Sequence, residues 1–371
     1  MRILYVTTIS LTMNSFFKPH IAMLVQEGHQ VDVACNDDGL ALDSLYDRLG
    51  CKFHRVDFSR LPLSPDNIKA YGQLKKVVEE GNYDIVHCHT PNASVITRLV
   101  CRRFRKETGL KVFYTAHGFH FYKGAPILNW LVFYPVEKIC SRFTDKIITI
   151  NREDYELAKV KFYTGEVCYV PGVGLDLSRF ENVHVDVKAI RRGIGVPEDV
   201  LLLLSVGEIN ENKNHQIIVR ALAKLNNPDV HYAIAGLGDK RDQLLELAKE
   251  LGISEQVHLL GYRTDIPELN YSADIFCFPS LREGLGLAAI EAMACGLPIL
   301  TSNVHGINDY SADGITGYKC APLDVDGFVN SLRKMVGNEK LRKKMGQNNV
   351  ALAGKYEINT VIRLLKEKYE L

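Results

Sequence analysis

The sequence predicts an α/β protein made of two doubly wound, Rossmann-like domains facing a cleft, and three observations carry that expectation. Short runs rich in Val, Ile, Leu, Phe and Tyr alternate with helix-length segments throughout the 371 residues. Many runs are nearly continuous in apolar residues, as in parallel strands covered by helices on both faces. A polar break near Pro171–Arg191 divides the runs into two groups, each of ordinary domain size.

Taken in order, the first group predicts strands at Ile3–Thr8, Gln30–Cys35, Phe53–Asp57, Asp84–His89, Lys111–Ala116, Lys146–Ile150 and Val167–Val170. The second predicts Leu201–Val206, His231–Ala235, Val257–Leu260, Asp274–Pro279 and Pro298–Ser302. The domains are therefore placed at residues 1–175 and 176–355. The last helix carries Ile358, Val361, Ile362, Leu364 and Leu365 on one sticky face, and residues 356–371 are expected to pack back on the first domain. Ligands of doubly wound folds bind outside the carboxyl ends of the strands, so the chemistry is sought in the turns that follow them.

Composition excludes several classes. An apolar fraction of 46% and a charged fraction of 24% are those of a globular protein. A net charge of +1 disfavours general nucleic-acid binding. Residues 1–180 hold 23 Lys/Arg against 19 Asp/Glu, while residues 181–371 hold 22 against 25, so the first half is the more positive. The nine cysteines form no CxxC pair and read as reduced, buried thiols of a cytoplasmic protein. MRILYVTTIS runs straight into a strand, so no signal peptide is expected. Gly124–Val136 is apolar but contains two prolines and is too short to span a bilayer.

The most informative turn follows Asp274–Pro279. Ser280-Leu-Arg-Glu283-Gly284-Leu285-Gly286 leads into LAAIEAMACG, a helix apolar nearly all round whose only charge is Glu291. A buried carboxylate is costly unless paired, so Glu291 is either satisfied locally or held for ligand hydroxyls. Gly284 and Gly286 leave amides at a helix start, where a phosphate binds readily.

REGLGLAAIEAMACGLPIL closely resembles the Glu-x7-Glu signature of glycosyltransferase family 4, retaining enzymes of the GT-B fold, in the flavour of bacterial capsule and exopolysaccharide transferases. The resemblance covers the whole chain. It implies a nucleotide diphosphate sugar donor, UDP-linked, and a glycan or polyprenyl-diphosphate-linked saccharide acceptor. It implies that Glu283 contacts the donor sugar, that Glu291 contacts the ribose, and that Gly284, Leu285 and Gly286 line the donor. No cofactor is expected, and no metal: His87-Cys88-His89 alternates across a strand, so Cys88 points away from both histidines.

Leu201–Val206 runs into Gly207-Glu208-Ile-Asn-Glu211-Asn212-Lys213, and a lysine at a helix start suits a diphosphate. Family members have arginine where this chain has Glu208. Glu208 is expected either to pair with Lys213 or to face the acceptor, with Arg282 or Arg263 supplying the missing charge. Gly236 follows the next strand and permits close approach to the donor, and Tyr262 lies in the loop that surrounds the base in relatives. His117, after Lys111–Ala116, matches the turn that brings a histidine to the donor sugar. The departing phosphate is expected to take the acceptor proton on the same face. The first turn, TTISLTMNSFFKPH, lacks the glycines usual in the family; Thr8, Ser10 and Asn14 are expected on the acceptor side.

Two alternatives share the architecture: a nucleotide-sugar epimerase and a non-catalytic scaffold. The basic run Arg102-Arg103-Phe104-Arg105-Lys106 and the segment Lys123–Tyr134, with Trp130 and Phe133, also suggest peripheral contact with the inner face of the cytoplasmic membrane.

Overall fold

The computed structural model describes residues 1–181 and 183–370. It divides into two compact units, Met1–Gly174 with Ile358–Leu371, and Leu175–Glu357. The first holds seven strands: β1 (Arg2–Ile9), β2 (Gln30–Asn36), β3 (Phe53–Arg55), β4 (Ile85–His89), β5 (Lys111–Ala116), β6 (Lys146–Thr149) and β7 (Glu166–Tyr169). They are parallel throughout, in the order β3-β2-β1-β4-β5-β6-β7. The second holds β8 (Leu201–Val206), β9 (Val230–Ala235), β10 (Val257–Gly261), β11 (Ile275–Phe278), β12 (Ile299–Ser302) and β13 (Gly317–Cys320). Their order, β10-β9-β8-β11-β12-β13, is also wholly parallel and repeats the scheme of the first sheet. The strand order reverses between β1 and β4 and again between β8 and β11, which marks the carboxyl ends of those four strands as the ligand crevices.

The apolar runs are buried as their pattern required. Ile3–Val6 of β1 and Leu202–Leu204 of β8 are almost wholly excluded from solvent. Each fully buried aliphatic or aromatic side chain contributes about 1.5–3 kcal/mol relative to exposure. β13 has no apolar run to announce it. It is a four-residue edge strand with Lys319 at its third position, and it must open on Gly317 because a Cβ there would meet the Ile299 carbonyl at 1.7 Å.

Two expectations need correction. The break is shorter than Pro171–Arg191: the helix Val187–Gly193 lies in the second unit, capped by Asp186. Its Arg191 is buried, bonding Asp274 at 2.9 Å and the carbonyls of Ser272, Glu198 and Val200. The helix Ile127–Ser141 turns its aromatics inward. Trp130, Phe133 and Tyr134 pack on the core, while Ile127 (79% exposed), Leu131 (68%) and Ile139 (55%) face outward. An aliphatic stripe thus replaces the aromatic one. The basic run is also partly neutralised, because Arg103 pairs with Glu107 at 2.6 Å and Arg105 grips Asp145 with two nitrogens. Among the described residues, no helix is long and apolar enough to cross a membrane.

The C-terminal helix Ile358–Tyr369 belongs to the first unit, with Val361, Leu365 and Tyr369 buried. The Tyr369 hydroxyl donates to that of Tyr5 at 3.1 Å and also bonds His87 Nδ1.

Candidate active site

In the second unit the turns after β8 and β11 are tied together. The Leu281 amide donates to the Asn212 carbonyl at 2.7 Å, and Asn212 Nδ2 donates to the Arg282 carbonyl at 3.0 Å. Asn214 Nδ2 reaches the carbonyls of Pro279 and Pro322. Across this frame Lys213 Nζ meets Glu283 Oε1 at 2.5 Å and lies 4.9 Å from the centre of the Phe278 ring. Both partners are mostly buried, so their attraction is screened less than that of a surface pair. Beneath them, His215 Nε2 bonds the Glu208 carbonyl at 3.1 Å and His215 Nδ1 bonds the Tyr232 hydroxyl at 3.0 Å. A carbonyl only accepts, so the His215 proton stands on Nε2. Burial pushes its pKa down to about 4 and keeps the ring neutral.

The glycines have separate reasons. Gly286 has φ +87, and a Cβ would stand 2.4 Å from the Phe278 ring and 3.0 Å from the Tyr310 hydroxyl. It opens the helix Leu287–Ala294, whose first amides are thereby presented beside Glu283. Gly236 is required by backbone packing, since a Cβ would meet the Gly207 carbonyl at 1.8 Å. Its contribution is to hold the turn after β8 in place.

The missing second cation is only partly replaced. Glu208 does not pair with Lys213, which goes to Glu283; the exposed Glu208 carboxylate accepts from Asn210 Nδ2 at 2.7 Å instead. Arg263 is bound bidentately by Asp265 within its own turn, at 2.8 and 2.5 Å. Arg282 is half-buried and makes no ion pair among the described residues, so it is the cation left over beside the site. Tyr262 is 75% exposed and forms rim rather than wall.

Glu291 is half-buried, and its carboxylate takes no protein hydrogen bond among the described residues. Burial pushes its pKa up, and the charge of Arg179 pulls it partly back. An unoccupied carboxylate in that state is a strong acceptor for hydroxyls. Arg179 lies in the 3-10 turn Leu177–Phe180; nothing in its local sequence distinguishes it from a solvated arginine.

In the first unit the corresponding crevice is lined by neutral rings. His89 ends β4, and its Nδ1 lies 3.3 Å from His117 Nε2. His89 is flanked by Phe17 (centroids 4.1 Å apart), His87 (4.2 Å) and Tyr5 (5.1 Å). His20 Nε2 bonds the Val173 carbonyl at 2.7 Å. Burial drives the pKa of His20 and of His117 down to about 4, and those of His87 and His89 well below the usual range. Cys88 points to the opposite face, its Sγ donating to the Phe113 carbonyl.

Residues 2–151 match the family described as glycosyl transferase 4-like, and residues 186–351 match glycosyl transferases group 1. The putative glycosyltransferase EpsD of Bacillus subtilis (strain 168) is 37% identical over 350 residues, spanning 93% of this chain and 90% of that protein. The chain is a family 4 glycosyltransferase of the GT-B fold. The UDP-Gal:alpha-D-GlcNAc-diphosphoundecaprenol alpha-1,3-galactosyltransferase of Escherichia coli is 28% identical, covering 88% of this chain and 84% of its own length. In fold, the transferase is similar to HepE of Anabaena in complex with UDP and glucose (TM-score 0.79, 18% identity, 100% and 99% of the two chains). It is similar also to WaaG, a glycosyltransferase involved in lipopolysaccharide biosynthesis (TM-score 0.74, 20% identity, 99% of each chain).

The first turn of the transferase is committed internally. Ser10 Oγ donates to the carbonyls of Asp37 and Leu40, and Asn14 bonds the Ala41 carbonyl and the Asp43 amide. These two side chains brace the segment Asp37–Asp43, because the helix Ser10–Phe16 follows β1 with no intervening loop. Thr8 bonds Thr90 through both its amide (3.0 Å) and its hydroxyl (2.7 Å), joining β1 to the end of β4 at the reversal of strand order. Thr90 has φ +64, a conformation a β-branched residue rarely adopts, and no pattern in the sequence signals it.

Proposed function

We propose that this transferase moves a hexose from a UDP-sugar to a glycan or lipid-linked saccharide, with retention and without a metal, in the synthesis of a cell-surface polysaccharide. The observation that carries the reading is the Lys213–Glu283 pair at 2.5 Å beside the helix start at Gly286, with Glu291 open one helix turn or more beyond. Lys213 and the helix amides meet the diphosphate, Glu283 the sugar hydroxyls and Glu291 the ribose. His117 donates to the sugar as neutral imidazole. As the bond from the anomeric carbon to phosphate breaks, the departing phosphate oxygen takes the acceptor hydroxyl's proton, and the new C–O bond forms on the same face. Binding of UDP and glucose by HepE, and the diphosphoundecaprenol acceptor of the Escherichia coli relative, support the two substrate classes.

The acceptor reading extends to location. The stripe Ile127, Leu131 and Ile139 is apolar and exposed, and Arg102 and Lys106 remain exposed in the more positive half. Such a face suits the cytoplasmic leaflet, where each basic residue contributes about 1 kcal/mol near an anionic surface. The test is transfer from a panel of UDP-hexoses to a polyprenyl-diphosphate saccharide in vesicles containing anionic lipid, with EDTA present. Retained-linkage product and salt-sensitive co-sedimentation are expected. Epimerised donor without transfer would replace the reading with the epimerase, and transfer abolished by EDTA would overturn metal independence.

A further inference from the structure

We propose that His89 is a positioning residue for His117: it donates from Nδ1 to His117 Nε2, which places the proton of His117 on Nδ1 and makes that nitrogen the donor offered to the sugar. The proposal rests on the reading of His117 as the sugar contact.

The geometry comes from three parts of the fold. His89 ends β4, where strand order reverses, and His117 follows β5, the next strand in the sheet. Their nitrogens are 3.3 Å apart, and each ring is uncharged, so one nitrogen donates and the other accepts. The ring of His89 is not free to turn. Phe17 lies 4.1 Å from it at 37°, and Tyr5 stacks at 5.1 Å and 28°. Tyr5 is held in turn by the hydroxyl of Tyr369 on the C-terminal helix. The backbone after His89 is pinned as well, since Thr90 keeps its left-handed φ of +64 through two bonds to Thr8.

The direction of the bond follows from the far side of the His89 ring. Its Nε2 is buried and meets no hydrogen-bond partner. A proton on Nε2 would leave a buried N–H without an acceptor, the rarer and costlier defect. A proton on Nδ1 is used by His117 and leaves only a lone pair unmet. His117 then accepts at Nε2, and its single proton stands on Nδ1, which has no protein partner among the described residues. A neutral donor with a fixed tautomer stabilises charge developing on the sugar, and with its Nε2 lone pair engaged by His89 it has no basic nitrogen left to compete with the departing phosphate for the acceptor proton.

The test reads the tautomer directly. In protein labelled with ¹⁵N-histidine, long-range ¹H–¹⁵N spectra, assigned by comparison with His117→Ala, should show the His117 proton on Nδ1 at neutral pH. His89→Asn, whose amide reaches the place of Nδ1, should keep that tautomer and most of the activity. His89→Phe keeps the stacking but loses the bond; it should mix the two tautomers and lower kcat about 10–100-fold, the range known for losing the partner that orients a metal-bound imidazole. The KM for the donor should change far less. An Nε2–H tautomer in the unaltered protein overturns the proposal even if no variant folds. So does a folded His89→Phe with unchanged tautomer and kcat. Full activity in His117→Ala would instead remove the sugar-contact reading, leaving the spectra to decide the role of His89.

Discussion

The turn after β8 and the end of β4 each lie beside the reversal of strand order in their sheets, yet they are built from opposite chemistry. The second unit presents a paired charge, Lys213 with Glu283, set among glycine turns. The first presents uncharged imidazoles packed among Phe17, Tyr5 and Tyr369. The difference matches what the proposed function asks each unit to meet. A diphosphate carries permanent charge and needs a cation and amides already in place. A sugar carries hydroxyls in the ground state and only partial charge in transit, for which neutral, fixed dipoles are the better complement.

The largest effect should come from discharging the second unit. Lys213→Ala removes the cation and leaves the mostly buried carboxylate of Glu283 facing the diphosphate alone. A hydrogen bond to a charged group contributes about 1.5–3 kcal/mol, so UDP affinity should fall roughly 10- to 100-fold in calorimetry. Uridine affinity should barely change. A parallel loss for both ligands would mean that the pair only shapes the turn.

Acid should divide the units next. His20 and His117 have pKa values lowered to about 4 by burial, and His87 and His89 lie well below their usual range. Between pH 6.5 and 4 the unfolded chain binds protons that these folded sites refuse, so stability falls as pH falls through that window. Each such group adds a slope of up to about 1.4 kcal/mol per pH unit. The second unit has His215 and His258 in that condition, with His231 shifted in the same direction. Hydrogen exchange, corrected for intrinsic rates, should therefore show β1, β4 and β5 opening at a higher pH than β8 and β11. Simultaneous opening would show that the histidine cluster is not what sets acid stability.

The two halves were unequally legible in the sequence. All twelve expected strands are present, most of them because buried parallel strands leave continuous apolar runs; the edge strands β3 and β13 lack one, and β13 was not expected. The places of the proposed donor-side residues were legible because they are local: Lys213, Glu283, Gly286 and Glu291 each sit within a few residues of a strand end or helix start. The network behind His117 was not, since His20, His87, His89, Thr90 and Tyr369 meet only through the fold. Ser10 and Asn14 looked available for the opposite reason. A polar side chain in a turn reads the same whether it meets a ligand or, as here, the carbonyls of Asp37 to Ala41. Composition likewise cannot show that Arg263 is held by Asp265 or Arg105 by Asp145.

The smallest effect probes where the charged half departs from its family. Glu208 stands where the family resemblance implies an arginine, and its carboxylate is exposed and, among the described residues, bonded only to Asn210. Its backbone is fixed by His215, so a substitution changes the side chain without freeing the turn. Glu208→Arg should therefore replace a repelled carboxylate by a second cation near the diphosphate. Exposed ion pairs contribute about 0.2–1 kcal/mol, which is a gain in UDP affinity of at most about fivefold. The gain should shrink as salt is added, because exposed charges are screened. If UDP binding tightens and transfer is unchanged, Glu208 is simply an absent half of a clamp. If binding tightens while transfer collapses, the carboxylate serves the acceptor, and the charged and neutral halves of this transferase are divided less cleanly than their geometry suggests. No gain in binding at low salt would place residue 208 beyond reach of the diphosphate and leave Arg282 as the cation to examine.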